Sequence, residues 1–88
     1  DKVEAVKWYR KAAEGGRAEW MCSIAYCYFD GEGVEEDKVE AVRWYRKAAG
    51  MNHAKSQYFL GGCFYAGDGV KMDKAEAIRW YQKAAEQV

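Results

Sequence analysis

The chain has 88 residues, half of them hydrophobic and 16% aromatic, and its 14 Lys plus Arg against 14 Asp plus Glu give a formal net charge of zero. That composition belongs to a folded chain rather than a disordered one, and the length allows one small domain with a thin core. Balanced charge without a basic run argues against nucleic acid as a partner, and no apolar stretch approaches the roughly 20 residues that insertion through a membrane needs.

DKVEAVKWYRKAA, from Asp1 to Ala13, predicts a first helix over 1–13. Its aspartate can accept from the free amides of a first turn, and the glutamate three places on can reach back to the aspartate amide. A second helix is predicted over 18–30, a stretch without Gly or Pro that carries Ala18, Met21, Ala25 and Tyr28 on one stripe. Gly31-Glu32-Gly33-Val34 follows, with two glycines able to take positive φ and one apolar residue to dip back into the core. The third helix is predicted over 37–49, where Ala41, Trp44, Tyr45 and Ala48 recur at helical spacing and Lys38, Arg43 and Lys47 face solvent. Helices over 54–66 and 73–86 repeat the pattern across Gly67-Asp68-Gly69-Val70.

Asp1, Asp37 and Asp73 thus open three near-copies of one string, 36 residues apart, and sliding the chain by that period makes more than half of the overlaid positions identical. Trp8, Trp44 and Trp80 coincide, as do Tyr9, Tyr45 and Tyr81. A fixed period of roughly 20 to 50 residues marks a stacked solenoid, in which one unit cannot bury its apolar face alone.

Cys22, Cys27 and Cys63 are odd in number and do not read as a disulfide framework. Cys22 and Cys27 point about 140° apart on one helix, while Cys27 and Cys63 occupy equivalent places on neighbouring helices, roughly 8 to 10 Å apart at ordinary packing distance. Free, buried thiols are expected, which leans towards a reducing compartment. The compartment itself stays open, since the sequence begins inside a repeat and a leader removed from it would leave no trace.

Nothing in the residue set calls for catalysis, a cofactor or a metal. His53 is the only histidine and falls in the turn GMNHA between two helices. Glu32/Asp37 and Glu35/Glu36 read as a solvated loop and a helix cap, and GEGV and GDGV lack the Lys and Ser/Thr of a phosphate-cradling loop.

AKSQYFLGGCFYAGDGVKMDKAEAIRWYQKAAEQ, Ala54 to Gln87, closely resembles the Sel-one-like repeat, a relative of the tetratricopeptide repeat, through Leu60-Gly61, GxGV and AxxWYxKAA. The resemblance implies an all-α fold, a right-handed α-α superhelix of antiparallel helix pairs. Its units are a half repeat over 1–17 and full repeats over 18–53 and 54–88. The first full unit departs from the family by Ala25 in place of Gly and Trp20 in place of a small residue. Cysteine-rich members of the family carry Cys within the KAA segment for a disulfide between paired helices; Ala stands there in this chain, so that bridge is not expected.

Because the Trp and Tyr of WYxKAA recur in every unit, they read as repeat-to-repeat packing rather than a ligand cage. Residues that do not recur are the candidates for function. In the superfamily that this chain resembles, the first helix of each pair lines the concave surface, which maps to Glu19, Cys22, Tyr26, Phe29 and Asp30 in one unit and Lys55, Tyr58, Gly62, Tyr65 and Ala66 in the next. Both sets fall on one helical face. Tyr26, Phe29, Tyr58 and Tyr65 are expected to form an aromatic strip edged by charge, a composition common at interface hot spots, or else to fill space between helices. The expected function is an interaction scaffold or adaptor, binding a peptide or protein segment on that face. Two other classes stay open: a structural array or homo-oligomer associating through exposed terminal helices, and a helical-repeat RNA reader, against which neutral charge counts.

Overall fold

The computed structural model describes residues 1–87, which form five helices and no strand: α1 (Lys2–Glu14), α2 (Ala18–Asp30), α3 (Lys38–Gly50), α4 (Ala54–Ala66) and α5 (Lys74–Ala85). Val88, at the end of the last expected repeat, lies outside the described residues. α1, α3 and α5 begin on Asp1, Asp37 and Asp73, whose carboxylates each accept the amide of the glutamate three places on at 3.0 Å. The reciprocal half of the expected capping box is replaced. The Asp37 amide donates to Tyr28 O at 2.8 Å and that of Asp73 to Phe64 O at 2.9 Å, so the cap ties each second helix to the end of the first. The glutamates, released from that duty, turn to Arg43 and Arg79 instead.

α2 and α4 end on Gly31 and Gly67 in the left-handed conformation, with φ of 71° and 75°. The following amides, of Glu32 and Asp68, return to Cys27 O and Cys63 O at 2.9 Å, which satisfies carbonyls that the helix end would leave free. The loop then folds back so that Val34 and Val70 pack against the core.

Substantial packing runs between sequence neighbours, α1 on α2, α2 on α3, α3 on α4 and α4 on α5, giving an elongated body of 37 × 24 × 16 Å. Ile24, Ala25, Ala41, Tyr45, Ala48 and Leu60 are sealed from solvent at its centre. Tyr9 stacks on Trp20 with centroids 5.6 Å apart, and Tyr45 stacks on Phe59 at 5.4 Å. The two tyrosines are repeat equivalents but their partners are not, since Ser56 and Ser23 hold the corresponding places. The aromatic supplied by the next helix has moved by one turn, and this accounts for the unusual Trp20.

The WYxKAA residues are not uniformly core, as the sequence suggested. Trp44 and Tyr45 are 8% and 1% exposed, whereas Trp8 is 64% exposed and Tyr9, Trp80 and Tyr81 are half-buried. α3 alone among the three equivalent helices is flanked on both sides, by α2 and α4. Burial at α3 also leaves Trp44 Nε1 without a hydrogen-bond partner, while Trp80 Nε1 donates to Glu76 at 3.1 Å. Lys38, expected in solvent, is half-buried with its ammonium 4.6 Å from the Phe29 ring centre.

A polar lock not anticipated from sequence closes the α3–α4 turn. Gln57, 1% exposed, donates to Ala49 O at 3.2 Å and accepts from Gln87 at 2.7 Å. His53 occupies the turn and caps α4, its Nδ1 lying 2.8 Å from Ser56 Oγ.

Candidate functional site

α2 and α4 lie on the same side of the stack, and two hollows open between them. The larger, about 540 Å³, is bordered by Tyr9, Glu19, Ser23, Glu32, His53 and Lys55; the smaller, about 210 Å³, by Phe29, Tyr45, Gly62, Cys63 and Asp68. Tyr26 and Phe59 line both and so make the two hollows one groove.

The groove exists because the repeat is imperfect. Gly62 is the equivalent of Tyr26, so α4 lacks the ring that α2 carries at that place, and a Cβ there would meet nothing closer than Tyr81 Oη at 3.7 Å. Phe59, equivalent to Ser23, rises to form the wall while stacking on buried Tyr45.

The expected site residues divide. Glu19 and Lys55 stand at the rim of the larger hollow, with Cys22 buried in its floor. Tyr26, 44% exposed, stands between the hollows. Phe29 and Gly62 line the smaller one. Asp30 is exposed but borders neither hollow. Tyr58 does not join the groove. It leans on Tyr81 with centroids 5.5 Å apart and lines a separate apolar hollow between α4 and α5. Tyr65 lies apart from all three, with Lys74 Nζ 5.2 Å from its ring centre, and Ala66 is exposed beside it. The expected strip of four aromatics is therefore split. Tyr58 is the repeat equivalent of Cys22, which in α2 lies against Ser56 and Lys55 of α4, whereas Tyr58 meets Tyr81 of α5 and is left 59% exposed.

Phe59 and Asp68 were missed by the sequence reading. Phe59 differs from its repeat equivalent, Ser23, but lies one residue off the helical face that carries Tyr58 and Gly62. Asp68 was absorbed into the turn motif.

Two of the groove's carboxylates are paired. Glu19 meets Arg17 at 3.3 Å and Glu32 meets Lys2 at 3.1 Å. Burial pushes the Cys63 thiol up to about 11, with the nearby Asp68 carboxylate adding to the shift, and burial also raises Cys22. Such thiols are poor nucleophiles at neutral pH. Among the described residues no group of three His, Cys, Asp or Glu could hold a metal ion, and no helix is long and apolar enough to cross a membrane. What the groove offers is an aromatic surface set on a rigid frame.

Helix pairs stacked through neighbour-on-neighbour packing of a recurring Trp-Tyr and Ala core define a helical-repeat solenoid of the tetratricopeptide-like class. Residues 1–16, 18–53 and 54–88 match the model of the Sel1 repeat, and the chain belongs to that family.

Three solved structures share the architecture. Protein c5321, a protective antigen of uropathogenic Escherichia coli with an SLR fold, is 41% identical over 99% of this chain and 19% of its own, with a TM-score of 0.97. A Sel1 repeat protein from Oxalobacter formigenes is 42% identical over 98% of this chain and 35% of its own, with a TM-score of 0.92. Cysteine-rich protein B of Helicobacter pylori is 28% identical over 98% of this chain and 65% of its own, also at 0.92. The chain thus spans from a fifth to two thirds of the length of these proteins. No curated protein matches it. Repeats of this family are generally non-catalytic protein–protein interaction modules.

Proposed function

We propose that the chain is an adaptor module that docks a peptide or protein segment in the groove between α2 and α4, with the pairs α2–α3 and α4–α5 as its two repeat units. The observation that carries this reading is Tyr26, a large aromatic left 44% exposed between two hollows, on a helix whose opposite stripe is locked into the core. Rigid aromatic side chains in partly desolvated settings are the usual anchors of interfaces. Glu19 and Lys55 at the rim set orientation, Phe29 supplies apolar contact, and Asp30, Tyr58 and Tyr65 serve a longer segment that runs beyond the groove.

The test is selection of a random 12-residue peptide library on the immobilised chain, with affinities read by fluorescence anisotropy. Tyr26→Ala should weaken selected peptides by 1 kcal/mol or more, about fivefold, as for a hot-spot residue. Helix content should stay unchanged. Selected peptides that bind Tyr26→Ala as tightly as the parent would remove the groove from the interface.

A second reading, self-association, draws on the outer faces of the terminal helices, where Val3, Trp8 and Ile78 are 56%, 64% and 52% exposed. Sedimentation of the chain across a hundredfold concentration range separates the two: a dimer lost in Trp8→Glu supports association, and a persistent monomer excludes it.

A further inference from the structure

We propose that the smaller hollow holds one cationic side chain, a lysine or arginine of the docked segment, an inference that rests on the groove reading above. Rings of Tyr26, Phe29 and Phe59 form its walls, and its single charged lining residue is Asp68. The space is there because Gly62 stands where α2 has Tyr26.

Repeat symmetry shows why Asp68 is available. Its equivalent, Glu32, is held by Lys2 at 3.1 Å. Lys38, the equivalent of Lys2, takes Glu36 at 2.9 Å instead, with its ammonium over Phe29. Asp68 therefore belongs to none of the ion pairs formed among the described residues, and the Lys38 ammonium, held by Glu36, acts on it only at longer range. The larger hollow differs, because both of its carboxylates, Glu19 and Glu32, are already matched.

An apolar side chain entering the smaller hollow would strip water from the Asp68 carboxylate and return nothing. A lysine or arginine returns a charge-assisted hydrogen bond to the carboxylate and sets its charge against aromatic faces, with its methylene stem along the rings. The contact of Lys38 with Phe29 shows that one ring of this site already accepts a cation.

The experiment titrates the isotope-labelled chain with N-acetyl-arginine methylamide, N-acetyl-lysine methylamide and the uncharged N-acetyl-norleucine methylamide, followed by amide chemical shifts. The two cationic probes should shift the amides of Tyr26, Phe29, Gly62 and Asp68 saturably, at least fivefold more tightly than norleucine does. Asp68→Asn should weaken both cationic probes at least threefold. Gly62→Leu, which fills the hollow from a helical position, should abolish their binding while the remaining spectrum is kept. Norleucine binding as well as arginine, an unaltered affinity in Asp68→Asn, or no saturable shift at these four amides would each overturn the proposal. The groove reading fails separately. Library peptides that need Tyr26 but tolerate replacement of every Lys and Arg by norleucine keep the groove and overturn the cationic anchor; binding of the probes without any groove-binding peptide does the reverse.

Discussion

Gly31 and Gly33 lie two residues apart in one loop, share a positive φ of 71° and 76°, and should respond very differently to the same methyl group. At Gly31 an added Cβ meets nothing closer than Glu36 Cβ at 3.3 Å, whereas at Gly33 it would fall 2.4 Å from Lys2 O and 2.7 Å from Val6 Cγ2. Gly31→Ala therefore bears mainly the left-handed backbone penalty, about 1 to 2 kcal/mol. Gly33→Ala bears the same penalty and must also lift the loop off the first turn of α1, at a further 1 to 3 kcal/mol or so for overpacking. The sum, about 2 to 5 kcal/mol, is a large part of the roughly 4 to 13 kcal/mol that a domain of this size holds. Urea titrations followed by far-ultraviolet circular dichroism give both numbers, provided the slope with denaturant is unaltered. Gly69→Ala should match Gly33→Ala, since its Cβ would sit 2.3 Å from Lys38 O. If Gly31→Ala and Gly33→Ala agree within about 0.5 kcal/mol, below the smallest overpacking cost expected, the loop does not press on the preceding helix and the argument is wrong.

Ala48 is fully buried, so Ala48→Leu should overpack the centre and cost about 1 to 3 kcal/mol; an unchanged melting curve would take it out of the core. Trp44→Ala should cost about 3 to 5 kcal/mol, while Trp8→Ala, on an exposed ring, stays within about 0.5 kcal/mol, a contrast that parallel thermal melts resolve. Trp44→Phe should cost clearly less than Trp44→Ala, because it keeps a buried ring while still removing the indole N–H that lacks a partner and the penalty of leaving it so. The Cys63 thiol is raised from 9.0 to about 11, so on alkaline titration the unfolded chain loses this proton first and the folded state binds more protons. The contribution is thus present below pH 9 and lost as pH rises through 11, with the raised Cys22 and Tyr45 acting in the same direction. A urea midpoint that stays flat from pH 8 to pH 10.5, a range spanning most of that window, would contradict this.

The helices and their order were legible because an aspartate cap marked the starts of α1, α3 and α5, and the 36-residue repeat with its apolar spacing placed α2 and α4 between them. The groove was only partly legible. The stripe that held Tyr26 and Tyr58 treated α2 and α4 as interchangeable, yet the two tyrosines are not repeat equivalents, and a shift of four residues along a helix of this stack changes which neighbour a ring faces. Uniform burial of the Trp-Tyr motif failed for a related reason: identical sequence in α1 and α3 meets different surroundings, and burial belongs to the neighbour as much as to the residue. Asp68 looked like turn chemistry because its backbone is just that, while its side chain depends on where Lys38 goes, which depends in turn on Glu36. His53 was legible as a turn residue, but its cap on α4 and the buried bond of Gln57 were not, because their partners, Ser56 and Ala49 O, are fixed only when α4 turns back on α3.

Since each helix rests chiefly on the one before and the one after, few of the contacts need distant parts of the chain to meet, and loop closures of this kind are short and fast. Opening should be graded in the same way. Amide hydrogen exchange should be quickest in α1 and α5, each supported along one side, and slowest in α3. α2 and α4, which carry the groove, can loosen only if a flanking helix loosens with them. A segment laid across both would fasten helices that the backbone joins only by way of α3, so binding at the surface should be felt most strongly as slowed exchange along α3, most of which lies away from the ligand.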